Sequence, residues 1–324
     1  MDRDHLRLMA KIARLYHEHG LSQTQIAAEL HVSQPRVSRL LKEAASLGVV
    51  RTIVSLPPGS HIDVEEQLEN LFGLAEAVVA DSEDGFDLGA VAAAAAHYLE
   101  TTLIADEVIG ISSWSESLLK TVDALTPLRP GAAKTVVQLV GGHGQSLVQF
   151  QANRLLTQLA SRTGAKPVFL NAPGVMCSPD EVASLLRSPS LREATTVWQQ
   201  LTLALVGIGS AQPSPLAQAS GSTLSSDALG SLRELGAVGD ICFRYFDAFG
   251  HLVSTDLNEV VVGISVDDLL RAPRRVGVAG GARKVAAIKA ALVGGLINVL
   301  ITDIGTARLL LEDEIGPPVR PHMT

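Results

Sequence analysis

The chain has 324 residues, 47% of them hydrophobic, with 26 Lys or Arg against 34 Asp or Glu and a formal net charge of −8. Such a length predicts about two domains, the apolar content excludes a disordered chain, and the acidic balance excludes a protein that coats nucleic acid with its whole surface. Its longest apolar runs, Val91 to Ala96 and Leu201 to Ile208, are too short for a membrane span of about 20 residues, so no membrane partner is expected.

Charges and histidines interrupt Met1 to Gly20, which therefore does not read as a signal peptide; the expected location is the cytoplasm. Asp4 to His19 reads as a first helix, with Leu8, Ile12 and Leu15 as its apolar face. Leu21 to Leu30 is a short second helix: Ser22 is placed to cap it, Gln25 completes a capping box, and Leu21 with Ile26 makes a hydrophobic staple. After the tight turn His31-Val32-Ser33, Ser33 is expected to cap a third helix whose first turn holds Pro35, where a missing amide costs nothing. Val37, Leu40, Leu41, Ala44 and Leu47 form its apolar stripe and leave Arg36, Ser38, Arg39 and Lys42 on the outer arc. Gly48 closes this helix, and Val49 to Leu56 reads as a wing strand.

That arrangement is a winged helix-turn-helix, and its outer arc is what a recognition helix needs. Arginine forks suit phosphates and guanine edges, serine reaches either, and Gln34 is placed for a bidentate contact to adenine. Ser22 and Gln23, opening the second helix, join them in the expected contact set for double-stranded DNA. The alternative is a small bundle whose polar face is merely solvated. Charge is segregated accordingly: residues 1–56 hold eight Lys or Arg against five Asp or Glu, the remainder 18 against 29.

Pro57-Pro58-Gly59-Ser60 breaks secondary structure where the charge changes sign, which divides the chain into a domain of residues 1–56, a linker of 57–60 and a domain of 61–324. His61 to Gly73 is an amphipathic helix, expected to contact its own domain or a second subunit, with the subunit slightly preferred. Beyond it, strands at Glu76 to Val79, Val108 to Ile111, Thr135 to Leu139, Leu203 to Ile208, Val276 to Val278 and Val299 to Thr302 alternate with helices. Those helices are expected at Asp87 to Thr102, Ser115 to Leu125, Ser146 to Arg162, Ser226 to Leu235, Ala282 to Leu292 and Asp303 to Leu311. The pattern predicts a Rossmann-like, mainly parallel α/β domain, with Phe243 to Val253 as an inserted hairpin. Cys177 and Cys242 read as ordinary thiols without metal-site spacing; neither metal nor cofactor is expected.

Ligands of such sheets collect at the carboxyl ends of the strands. Four loops expected there share one chemistry: Gly110 to Ser115 with its hydroxyls, Gly141-Gly142 with Gly144, Gly207 with Gly209 and Ser210, and Gly280-Gly281 before Lys284. Glycines admit an anion to backbone amides and hydroxyls add donors, which suits a phosphorylated small molecule; any one such loop is more often steric in origin, and it is the four together that point to a ligand. Asp240 suits sugar hydroxyls and Lys284 suits phosphate; Arg244 either serves a ligand or pairs with an acid in the same domain, and Gln138 either meets a ligand or satisfies backbone.

The stretches LYHEHGLSQTQIAAELHVSQPRVSRLLKEA, QLVGG from Gln138, GAVGDI from Gly236, VVGIS from Val261 and VAGGARKVAAIKAALVGGLINVLITD from Val278, with Thr306-Ala307 following, resemble the SorC family of bacterial sugar-responsive transcriptional regulators over nearly the whole chain. The resemblance implies a helix-turn-helix joined to an effector domain similar to ribose-phosphate isomerases and glucosamine-phosphate deaminases, dimers or tetramers on operator DNA, and control by a sugar, sugar phosphate or polyol. It places effector contacts on Gly110, Ser112, Ser113, Ser115, Gln138, Gly141, Gly142, Gly209, Asp240 and Lys284. Where relatives often carry a Gly-Trp-Gly-like core in the first effector loop, this chain has Ser113-Trp114-Ser115, so the effector is not inherited and an unphosphorylated one is open. No catalytic residue is expected: Asp240, Glu116 and His143 are the candidates for an isomerase-like or deaminase-like enzyme, but no local acid–base pair is defined. A DNA-binding protein with an oligomerisation-only second domain is the remaining alternative.

Overall fold

In a computed structural model the chain forms two compact units, Met1–Pro57 and Pro58–Thr324. Residues 3–50, 59–82, 85–113, 115–142, 146–210 and 226–312 are described. The first unit holds α1 (Arg3–His17), α2 (Gln23–Glu29) and α3 (Gln34–Ser46). Their contact faces make one core of Met9, Ile12 and Ala13 with Ile26 and Ala27 and with Val37, Leu40 and Ala44. The capping box of α2 forms as expected: Gln25 N donates to Ser22 Oγ at 3.3 Å, and Ser22 N to Gln25 Oε1 at 2.9 Å. His31 takes the left-handed conformation, φ 51°, that turns the chain into α3. Ser33 occupies the N-cap position of α3, yet its side chain makes no cap hydrogen bond, which corrects the expectation for that residue. Instead the His5 Nε2 lies 3.1 Å from both Glu43 oxygens, tying α1 to α3. Most of the expected wing, residues 51–56, lies outside the described residues. The Ser22→Ala variant is expected to lose about 1 kcal/mol of stability in this unit, the usual cost of a lost N-cap; helical circular dichroism in a urea titration reads it.

The second unit runs α4 (Ile62–Phe72), β1 (Glu76–Ala80), α5 (Leu88–Thr102), β2 (Val108–Ile111), α6 (Glu116–Ala124), β3 (Thr135–Gln138), α7 (Ser146–Thr163), β4 (Lys166–Val168), α8 (Pro179–Leu186), α9 (Arg192–Trp198), β5 (Leu203–Gly207) and β6 (Gly209–Ser210). It continues through α10 (Ser226–Glu234), β7 (Gly239–Ile241), β8 (Arg244–Phe246), α11 (Asp256–Glu259), α12 (Val266–Arg271), β9 (Arg274–Val278), α13 (Val285–Val293), β10 (Val299–Asp303) and α14 (Ile304–Glu312). Seven strands pair in the order β1-β10-β9-β5-β2-β3-β4, every pair parallel. The run β4-β3-β2-β5-β9-β10 follows the doubly wound order, and β1 extends it at the far edge.

Helices cover both faces, which is why the inner strands read as unbroken apolar runs. One core joins Val91, Leu99, Leu118 and Leu155 of α5, α6 and α7 to Ile109, Leu205 and Val278. The other joins Leu68, Ile288 and Leu310 of α4, α13 and α14 to Ala204, Val206 and Leu300. Thus α4 packs on its own domain, one of the two contacts expected of it. The Glu69 and Glu65 carboxylates on it accept main-chain N–H bonds from Ala77 at 2.9 Å and Val79 at 2.8 Å on β1.

Beyond β5 the chain leaves the main sheet for a small antiparallel one, β6-β7-β8. Cys242 and Phe243, both at positive φ (54° and 62°), make the tight turn between β7 and β8. The expected hairpin about Asp247 to Gly250 is present as a bridge from Phe246 to Leu252, but the arm holding Phe246 pairs chiefly with β7. At the amino ends of the strands, Arg274 Nη2 donates to Glu107 Oε1 at 2.8 Å, with side-chain exposures of 22% and 7%. Thr202 Oγ1 donates to Glu107 Oε2, and the Arg274 guanidinium lies 5.8 Å from the centre of the Tyr98 ring.

Candidate operator and effector sites

On α3 the side chains of Gln34, Arg36, Arg39 and Lys42 are exposed and Ser38 is half-buried, while Val37, Leu40 and Ala44 are spent on the core. The described ion pairs of this unit join His5 to Glu43 and Arg14 to Glu18, so Arg36, Arg39 and Lys42 are unpaired among the described residues. Gln34 Nε2 donates to Gln23 Oε1 at 3.4 Å, which holds the start of α3 against the start of α2. The hydroxyl of Ser22 is engaged within the capping box. The resulting surface is a row of free cations and amides on one helix, the chemistry that reads phosphates and base edges.

In the second unit the chain runs from β2 outward to β3 and β4, then returns to β5 and proceeds the other way to β9 and β10. The carboxyl ends of β2 and β5 therefore flank the point where strand order reverses, the usual ligand crevice of open α/β sheets. Here Gly207 N donates to Ser112 Oγ at 3.0 Å, and a Cβ on Gly207 would overlap the Ser115 hydroxyl. Ser115 caps α6 by accepting from Leu118 N at 3.3 Å, and Ser113 Oγ donates to Val140 O at 3.3 Å. The small antiparallel sheet carries Asp240 to this edge, pairing it with Gly209, whose missing side chain makes room for the carboxylate. Phe243 N donates to Asp240 Oδ2 at 3.1 Å.

After β9, the loop Gly280-Gly281 leads through a short 3₁₀ turn, Ala282–Lys284, into α13, where a single α-helix was expected. Thr306 pins that loop: its Oγ1 accepts from Gly281 N and donates to the buried Asp303 Oδ2, each at 2.6 Å. Lys284 lies within electrostatic reach of Asp240 and of Glu116, which begins α6. Burial pushes the Asp240 carboxyl up to about 6, against the opposing pull of the Phe243 amide and the Lys284 charge. Burial likewise lowers the Lys284 ammonium, which the two carboxylates partly offset. Asp240, Lys284 and Glu116 thus converge from three separate segments.

Several residues assigned to the effector turn out to have structural work. Gly110 sits inside β2, where a Cβ would overlap Leu139 and press on Leu201, so packing explains its glycine. Gln138 is buried: its Oε1 accepts from Leu170 N at 2.7 Å and its Nε2 donates to Asn153 Oδ1 at 3.3 Å. Gly141 N donates to Val262 O and Gly142 N to Ala172 O, each at 2.9 Å. A Cβ on Gly141 would meet the carbonyls of Ala172 and Pro173 at 2.7 and 2.6 Å. Arg244 pairs with no acid among the described residues; its guanidinium donates to the carbonyls of Asn258, Val261, Gly263 and Ile264, and burial lowers its pKa. His143, Gly144 and Trp114 lie outside the described residues. Sequence reasoning missed the Asp303–Thr306 clasp and Phe86, although ITD with Thr306-Ala307 had stood out as a motif.

Residues 57–312 match the sugar-binding domain model Sugar-bind, and residues 5–56 match a helix-turn-helix domain. The chain belongs to the SorC family of sugar-binding transcriptional regulators. It is similar to the sorbitol operon regulator of Klebsiella pneumoniae, 32% identical over 95% of this chain and 99% of that one, and to the deoxyribonucleoside regulator of Bacillus subtilis (strain 168), 32% identical over 97% and 100%. The crystal structure of full-length SorC from K. pneumoniae aligns with a TM-score of 0.72 over 95% of this chain and 100% of that one. Both curated relatives are regulators by name, and this SorC-family chain is a DNA-binding transcriptional regulator, not an enzyme. No helix among the described residues is long and apolar enough to cross a membrane.

Proposed function

We propose that this protein controls a carbohydrate or polyol catabolic operon in the cytoplasm, binding operator DNA as a dimer or tetramer with an affinity set by a sugar-type effector. Gln34, Arg36, Ser38, Arg39 and Lys42 contact the duplex, with Gln23 steadying Gln34 and Ser22 holding the helix start. Two such units in an oligomer would read half-sites about 34 Å apart or a multiple of that. The effector lies at the crest between β2 and β5, against Ser112, Ser113, Ser115, Gly209, Asp240 and Lys284. Gly110, Gln138, Gly141 and Gly142 shape that crest from behind. Residues 57–60 link the two functions.

The observation that carries this reading is the meeting of Asp240, Lys284 and Glu116 at the strand-order reversal of a sheet whose chain also bears a helix of free cations. Control requires that the effector bind one arrangement of the oligomer better than another, since equal affinity shifts nothing. The test is to select an operator from random DNA with the full-length protein and titrate sugars, sugar phosphates and polyols into the complex. At least one compound is expected to change operator affinity about tenfold, a coupling of about 1.4 kcal/mol. Operator binding that ignores every compound overturns the effector control.

A further inference from the structure

Resting on the effector site proposed above, we infer that Phe86 and Asp81, at the two ends of the connection from β1 to α5, carry occupancy of that site to the linker of the DNA-binding unit. Phe86 touches the loop before Lys284, and Asp81 holds the residues by which the linker enters the second unit.

The linker end is built around one carboxylate. Gly59 takes φ 80°, and a Cβ there would stand 2.9 Å from Asp81 Oδ2, so the chain arrives against Asp81 at a residue without a side chain. Two residues on, His61 Nε2 lies 3.1 Å from Asp81 Oδ1, with side-chain exposures of 18% and 54%. The His61 carbonyl accepts from Val64 N at 2.8 Å and Glu65 N at 2.9 Å, which forms the opening turn of α4. Glu65 and Glu69 fix the body of that helix on β1. What remains adjustable is the path of residues 59–61 into it, and a partly exposed pair such as His61 with Asp81 is weak enough to shift.

The effector end is a packing contact. A Cβ on Gly280 would meet Phe86 Cε2 at 2.9 Å and one on Gly281 would meet its Cγ at 3.3 Å, so the ring rests on a floor that two glycines leave bare. Gly281 O accepts from Lys284 N at 2.8 Å, closing the turn that carries the ammonium of the effector site. A compound that draws Lys284 toward itself therefore pulls on the floor beneath the ring. The ring is 47% exposed, which leaves it room to follow. Behind it the structure is firm: Asp303, the register partner of Ala80, holds Thr306, and Thr306 holds Gly281 N. Ser82 Oγ donates to Gly85 O at 2.6 Å, so the residue after Asp81 is tied to the residue before Phe86. Movement of the ring thus reaches Asp81 through a short, hydrogen-bonded connection. The two states that an effector must distinguish are the linker entry held by Asp81 and the same entry released.

The test uses the full-length protein, its selected operator, and a panel of hexitols, pentoses, hexoses and their phosphate esters. For a panel member that changes operator affinity about tenfold in the parent protein, the Asp81→Ala variant is expected to keep the thermal shift that the compound produces, and to keep compound-free operator affinity within about threefold, while the change in operator affinity falls below about threefold. Phe86→Ala should lose the response as well, and Phe86→Leu, which keeps an apolar contact with the glycines, should retain most of it. A response that stays near tenfold in Asp81→Ala overturns the inference and leaves the effector site standing. A parent protein that ignores every compound overturns effector control itself, and this route with it. Hydrogen exchange supplies a readout that needs no compound. In Phe86→Ala the amides of Val64 and Glu65, some twenty residues earlier in the chain, should exchange at least about threefold faster, with those of α8 unchanged. Exchange at Val64 and Glu65 that does not respond to Phe86→Ala breaks the connection and overturns the inference.

Discussion

Replacing Arg274 with alanine is expected to cost the second unit about 3–5 kcal/mol, the typical penalty for stranding one partner of a buried ion pair. Glu107 is 7% exposed, and its carboxylate would keep only the Thr202 hydroxyl as a described side-chain donor. The same change removes the donor to Thr102 O and the cation beside the Tyr98 ring. Tryptophan fluorescence in a urea titration reads this unit alone, because both tryptophans, Trp114 and Trp198, belong to it. The double variant Glu107→Gln with Arg274→Met should lose less than Arg274→Ala, since a neutral amide replaces the stranded charge and methionine restores volume. If the single and double variants unfold alike, the pair is not what stabilises this end of the sheet.

Removing both Arg36 and Arg39 should weaken operator binding by about one and a half to four orders of magnitude, at about 1–3 kcal/mol for each lost arginine contact. Neither side chain takes part in the core or in a described ion pair, so the fold should survive. The two kinds of contact separate by salt. An arginine on phosphate lowers the slope of affinity against salt by about one unit, whereas one on a guanine edge relaxes specificity at a single position. Operator affinity within about threefold of the parent protein would remove α3 as the recognition element.

The helix-turn-helix was legible in the sequence because its signals are local. Ser22 and Gln25 lie three residues apart, and the stripe from Val37 to Ala44 is periodic. The inner strands were legible for another reason: burial on both faces leaves runs such as Val299 to Ile301 without a polar residue. β4, β6 and β7 escaped because three residues or fewer carry no period, and β7 pairs with a segment about thirty positions earlier in the chain. Helix α8 was within reach, since Ser178 does cap it before Pro179 and Asp180.

At the candidate site, the charged residues were easier to identify than the small ones. Asp240 and Lys284, singled out for their chemistry, lie within electrostatic reach of each other. Gly110 and Gly141 also answer to Leu139 and to the carbonyls of Ala172 and Pro173, contacts that a sequence cannot distinguish from room for a ligand. Gln138 and Arg244 were ambiguous by nature, because a buried amide or guanidinium serves a backbone carbonyl or N–H as readily as an effector.

The carboxylates of Glu65 and Glu69 also decide where the sheet stops. β1 is an edge strand, and the donors that a strand from another molecule would seek on Ala77 and Val79 are already occupied. At the opposite edge, β4 is three residues long with Pro167 at its centre, which has no N–H to offer. Open-ended templating from copy to copy is blocked at both margins. Copies of this protein would then not join by extending the seven-stranded sheet, so a contact at either of its margins rests on side chains, which a small ligand can reshape, and not on a backbone ladder, which it cannot.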